Sequence, residues 1–193
     1  MSKGDTLKAH KEMLDDYGFE IYEENTFPLA YLITFRTYGT WLHGDQRSSV
    51  QRSRDKRFKS IRIDPNVPLE EKMLEEMKQP AFILTESQRD HVRIAIEKVC
   101  AYRRYSLHAL NVRTNHGHTV VSKAVKPEKI VNDFKVYATR RLREHNEVSS
   151  TAKVWSRGAS TRYLWKPRHV EAAVDYVLYS QGDVPFGTVF TLE

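Results

Sequence analysis

LHALNVRTNHGHTVVS, residues 107–122, decides how this chain folds. It divides into two extended, apolar-rich segments, about 105–113 and 116–122, around a turn. Side chains alternate faces along a strand, so residues two apart point the same way. His116 and His118 therefore project together from one face of a sheet. Two imidazoles side by side are two thirds of a divalent-metal site. Polar Thr114 and Asn115 beside them favour a polar site over a core.

Outward from this pair, the apolar periodicity alternates between strand and helix. Residues 29–37, LAYLITFRT, read as a β-rich strand, and TYGTWLHGD (37–45) turns away through Gly39 and Gly44. Residues 5–18 read as a helix with Leu7, His10, Met13 and Leu14 on one side. Residues 46–68 form a basic excursion without periodicity, and Leu69 to Lys78 a short amphipathic helix stopped before Pro80. Thr85-Glu86-Ser87-Gln88 is a capping box opening a helix over about 86–103, with Val92, Ala95, Ile96 and Val99 inward. Pro127 opens another, to about 145, burying Ile130, Phe134, Ala138 and Leu142. Residues 153–165 read as a hairpin around Arg157-Gly158. Pro167 starts a last helix, to about Gln181, with Val170, Ala173, Val174, Val177 and Leu178 inward and Gly182 as its stop. This order predicts an α+β fold, an antiparallel sheet with helices packed on one face. One domain spanning 1–193 is expected, its core from 28–45 and 81–183, with 46–80 inserted.

Charge points to a polyanion. The net charge of +6 is carried entirely by residues 47–62, RSSVQRSRDKRFKSIR, with seven basic residues and one acid; the rest of the chain balances. Within that rest the sign is segregated: residues 134–168 hold nine Lys/Arg against two acids, while the first thirty residues are acidic. A chain with one basic face suits nucleic acid. No stretch approaches the ~18 apolar residues of a membrane span, the first residues lack a signal peptide's apolar core, and Cys100 has no cysteine to pair with. A cytoplasmic, nucleoid-associated protein without membrane contact is expected.

The last helix, VEAAVDYVLYSQGD, offers a reactive group. At 100° per residue Tyr176 lies well off the centre of the apolar stripe. Ser180 shares that outward face, Asp183 roughly does, and Gln181 lies nearer the apolar side. A tyrosine off the core stripe can serve as a nucleophile once it is activated or its target is polarised. Tyr137, beside the apolar stripe of the 127–145 helix, and Tyr179, some 60° off the face of Tyr176, are the rival tyrosines.

The ordered set resembles the single-tyrosine HUH transposases, including the REP-associated tyrosine transposases. The features that carry the likeness are His116-Gly117-His118 on a strand and Tyr176 in DYVLYSQ 58 residues beyond His118. WSRGASTRYLWKPRHVEAAVDYV adds to it, and ITFRTYGTWLHGD resembles the start of one branch. The likeness covers roughly 30–183 and implies a ferredoxin-like HUH endonuclease fold. It implies metal-dependent nicking and rejoining of single-stranded or hairpin DNA, with Tyr176 as nucleophile. His116, His118 and Gln181 would hold Mg²⁺ or Mn²⁺, with Ser180 or Asp183 as alternatives to Gln181. Arg52, Arg54, Lys56, Arg57, Lys59, Arg140, Arg141 and Arg143 would contact phosphates, and Tyr38, Trp41 and Trp155 would stack on bases or pack in the core. Transposing relatives commonly act as dimers and REP-associated ones can act alone, so both a homodimer and a monomer fit.

Two positions depart from the family pattern. Gly117 stands where a bulky apolar residue is usual, which predicts a missing core side chain and a looser strand. Ser180 stands where Asn or Gln is usual, with Gln181 one residue late. Those departures fit a non-catalytic nucleic-acid-binding protein on the same fold, while a zinc hydrolase using His116, His118 and His108 is a third reading.

Overall fold

The computed structural model describes residues 13–14, 20–21, 27–47, 49–51 and 61–180. In chain order the elements are β1 (Met13–Leu14), β2 (Glu20–Ile21), β3 (Ala30–Arg36), β4 (Ser49–Gln51), β5 (Ile61–Ile63), α1 (Val67–Glu75), α2 (Glu86–Arg103), β6 (Ser106–Val112), β7 (His116–Ser122), α3 (Pro127–Glu144), β8 (Ser160–Leu164) and α4 (Pro167–Tyr179).

Four strands form the main sheet, in the order β6-β7-β3-β8, every neighbouring pair antiparallel. β3-α2-β6 and β7-α3-β8 are thus two split βαβ units, each strand pair separated by a strand of the other unit. This is the ferredoxin-like topology, and the chain is α+β as expected. The capping box of α2 forms both of its bonds, Gln88 N–H to Thr85 Oγ1 and Thr85 N–H to Gln88 Oε1.

Strand parity sorts the sheet's two faces. Tyr31, Ile33 and Phe35 of β3 join Val92, Ile96 and Val99 of α2 and Ile130, Phe134, Ala138 and Leu142 of α3 in the larger core. The alternate residues Ala30 and Leu32, with Ala109, Val120 and Leu164, receive Ala173, Val177 and Leu178 of α4. Helices therefore cover both faces, not one. A four-stranded sheet whose two faces both carry apolar residues must bury both.

Three other expectations change. Residues 153–165 are not a hairpin: Trp155 bridges Thr37 and Ser160–Leu164 pairs Thr34–Ala30, so the whole stretch runs along β3. The interruption at Gly158 has a left-handed φ of 67° and is held by Lys135, which donates to the Ser156 and Gly158 carbonyls. That Gly signal marks a break within one edge strand rather than a reversal. In the expected helix 5–18, Met13–Leu14 instead pairs with Glu20–Ile21, across a sequence, Asp15-Asp16-Tyr17-Gly18, rich in turn formers; the remainder lies outside the described residues. The basic excursion is a ladder at its base, Ser49↔Ile63 to Gln51↔Ile61. α1 starts earlier than expected because Asn66, not Pro68, ends the loop: its side chain accepts from Leu69 N–H at 3.0 Å.

Candidate active site

β7 delivers the histidines as strand parity requires. His116 lies opposite Arg36, and His118 opposite Thr34 on one side and Asn111 on the other. All sit on the α4 face. The two imidazoles meet edge to face with centroids 4.6 Å apart, and the Tyr176 ring meets His118 edge to face at 5.6 Å. Tyr176 is 42% exposed, at the margin of the packed side of α4. It is off the core stripe but not directed straight away from it, and the seating of Ala173 and Val177 on the sheet brings it to His118.

Hydrogen bonds orient both rings. His116 Nδ1–H donates to Asn115 Oδ1 at 2.6 Å, which puts the ring's lone pair on Nε2. His118 Nδ1 is 2.7 Å from Thr34 Oγ1. Burial, then the charges of Arg113, Arg36 and Arg47, push His116 down to about 4. It is neutral at physiological pH, the form a metal needs. Two anchored imidazoles, one of them held neutral, suit a divalent cation. Among the described residues no group of three His, Cys, Asp or Glu side chains gathers to hold one. Ser180 ends α4, its N–H donating to the Tyr176 carbonyl at 3.2 Å, and is exposed. Gln181 and Asp183 lie outside the described residues.

His108 does not join the pair. Its Nε2 is 2.6 Å from Ser122 Oγ, and Ser122 is four residues beyond His118, roughly 13 Å at about 3.3 Å per residue. The zinc-hydrolase reading therefore loses its third ligand.

Gly117 leaves neither a hole nor a weak strand. Pairing runs unbroken through it on both sides. An added Cβ would fall 2.6 Å from Phe35 Cζ, so the ring of the opposite residue already fills that space. Phe35 is held there edge-on to Trp155 and against Phe134.

Three contributors escaped the sequence reading. Thr34 and Arg36 are the polar alternates of a strand otherwise read for its apolar residues; their parity was the available signal. Asn111 is buried, and its Nδ2–H donates to the Val177 carbonyl at 3.0 Å. That carbonyl belongs to the last turn of α4, where acceptors lack intrahelical donors. Asn111 thus pins the helix one residue after Tyr176.

The rival tyrosines sit elsewhere: Tyr137 packs half-buried against the larger core, and Tyr179 is 65% exposed. Arg140 and Arg143 are exposed on α3, on the sheet face opposite the histidines. They line a groove of about 790 Å³ between α3 and residues 152–161, with Lys135, Trp155 and Arg157. Arg140 is paired with Glu144 at 2.7 Å, and Arg141 is half-buried. Trp155 donates its Nε1–H to Thr139 Oγ1 at 3.0 Å and Tyr38 Oη accepts from Lys78 N–H at 3.1 Å, so both are engaged within the fold. Arg52, Arg54, Lys56, Arg57 and Lys59 lie outside the described residues.

Comparison with known proteins places these elements in context. A family model described as IS200-like transposase matches residues 75–177, more than half of the chain. A solved structure of a REP-associated tyrosine transposase bound to a REP hairpin is 13% identical, with a TM-score of 0.47 over 83% of this chain and 71% of that one. None of the curated proteins matches.

Proposed function

Because the chain belongs to the IS200-like transposase family, we propose that it nicks and rejoins single-stranded or hairpin DNA, with Tyr176 as the nucleophile. The observation that carries this reading is the contact of exposed Tyr176 with buried His118, itself against His116, across 58 residues of sequence and on the α4 face of the sheet.

The Tyr176 phenolic oxygen attacks the scissile phosphorus in line. The P–O3′ bond breaks, the departing oxygen takes up a proton to become a free 3′-hydroxyl, and the phenol proton passes to solvent. The product is a 5′-phosphotyrosine link; attack on it by a 3′-hydroxyl rejoins a strand, so no nucleotide cofactor is consumed. His116 and His118 would hold Mg²⁺ or Mn²⁺, with Gln181 as the proposed third ligand. That ion supplies Lewis-acid polarisation of the phosphate. Thr34 and Asn115 keep the imidazoles oriented, and Asn111 holds the helix that carries Tyr176. The 52–59 segment and the arginines of α3 are proposed to engage the strand away from the reacting phosphate.

The test is incubation of the full chain with Mn²⁺ and a randomised pool of 3′-labelled single-stranded oligonucleotides. We expect a denaturation-resistant protein–DNA adduct that is lost in Tyr176→Phe. An adduct that persists in Tyr176→Phe overturns the assignment, and binding without adduct in the native chain supports a non-catalytic DNA-binding protein instead.

A further inference from the structure

Arg36 sits at the end of β3, directly opposite His116 and on the same face. Its guanidinium lies 3.4 Å from the centroid of the Trp41 ring. A second arginine, Arg47, lies 4.4 Å from the same ring. Their circumstances differ. Arg47 is fully engaged: its Nε and backbone N–H each donate to Asp45 Oδ1 at 2.8 Å, its Nη2 pairs with Asp45 Oδ2, and Nη2 also donates to the Thr40 carbonyl at 3.0 Å. These bonds, with a smaller contribution from the charge of Arg36, hold Asp45 down at about 2, and its hydrogen bonds go to Arg47. The Arg36 side chain, by contrast, donates to no acceptor among the described residues and forms no ion pair with them; the Trp41 ring is what holds it.

A guanidinium carries five N–H donors in a planar fork and cannot shed its charge. A half-buried one without acceptors is costly. Burial, followed by the charge of Arg47, disfavours its charged form, and the Asp45 carboxylate offsets only part of this. Such a group is stable where an anion completes it. Arg113, one residue beyond β6, adds further positive charge at His116. Arg47 fixes Trp41, Trp41 fixes Arg36, and the fork is left beside His116, whose ring meets His118, the histidine that Tyr176 touches.

We propose that Arg36, stacked on Trp41, binds a non-bridging oxygen of the DNA phosphate that Tyr176 attacks. This rests on the reading of the site as a DNA-nicking centre. As Tyr176 attacks, negative charge grows on those oxygens, and a donor fork already in place stabilises it without rearrangement. Arg36 is then a catalytic residue that the histidine–tyrosine set alone does not include.

Two readouts on the full chain test this. The first is the salt dependence of binding to fluorescein-labelled oligodeoxythymidylate, followed by anisotropy in the Tyr176→Phe background. Loss of one single-strand phosphate contact in Arg36→Gln lowers the slope of log Kd against log salt by about 0.7, whereas Arg36→Lys retains it. The second is the rate of adduct formation with the randomised pool. Arg36→Gln slows it by about 10²–10³-fold, as for loss of one oxyanion donor. Arg36→Lys and Trp41→Leu also slow it, because an ammonium lacks the planar fork and an unstacked arginine lacks its position. A folded Arg36→Gln with native slope and native rate overturns the proposal while leaving the Tyr176 reading intact. A lowered slope in a chain that makes no adduct supports the phosphate contact and removes the nucleophile reading. Should Arg36→Gln melt below the assay temperature, a native adduct rate in Arg36→Lys overturns the catalytic role.

Discussion

His116-Gly117-His118 shows what one register of one strand decides. That the histidines share a face was legible from period two alone. What Gly117 does was not, because its complement is Phe35, 82 residues earlier, and only the cross-strand pairing reveals that the two positions share one volume. A Gly117→Ala variant should lose about 1–3 kcal/mol of stability in urea unfolding, the cost of overpacking a filled site. In a Phe35→Leu background, where the ring is gone, the same change should cost much less; equal costs in both backgrounds would mean that the ring does not set the requirement for glycine. His116 makes a second prediction. Its folded-state value is about 4, against an ordinary value near 6.5. As pH falls through 6.5 the unfolded chain takes up a proton that the folded chain refuses, so stability is lost on acidification between about pH 6.5 and 4. The urea midpoint should fall between pH 7.5 and 5, and fall less in His116→Gln; parallel profiles would show that His116 is not the group responsible.

At the scale of elements, α2 and α3 were readable because their caps and stripes are local: Thr85 with Gln88, and Ile130, Phe134, Ala138 and Leu142. The 153–165 segment was misread because a glycine that breaks an edge strand and a glycine that reverses a chain look alike locally; pairing with β3 separates them. The position of α4 depends on its docking, and there Asn111 matters. Replacing it with Leu keeps the volume but leaves the Val177 carbonyl buried without its donor, at about 1–3 kcal/mol. Hydrogen exchange in Asn111→Leu should accelerate across α4 while α2 stays protected, and adduct formation should slow. Uniform acceleration of both helices would instead assign Asn111 a role in global stability only.

For the whole molecule, the order of elements gave an α+β antiparallel sheet and the family resemblance a ferredoxin-like one; the two split βαβ units are read from the strand order β6-β7-β3-β8. Which face each helix takes did not follow, since an amphipathic stripe says that a helix is buried and not against what. The consequence is functional. α2 and α3 occupy one face, and α4 on the other brings Tyr176 to the histidines, beside Arg36 on its tryptophan. The basic groove of α3 lies on the far side, so a strand touching both must pass around the edge of the sheet. No helix among the described residues is long and apolar enough to cross a membrane. The central claim, that Tyr176 carries the DNA, is tested most directly by locating the bond. Tryptic cleavage after Arg168 leaves 169–193 as one peptide holding Tyr176 and Tyr179, and Tyr137 falls in another. Fragmentation of the nucleotide-linked peptide from the Mn²⁺ reaction should place the phosphate on Tyr176. A phosphate on Tyr179 or Tyr137 would contradict the account.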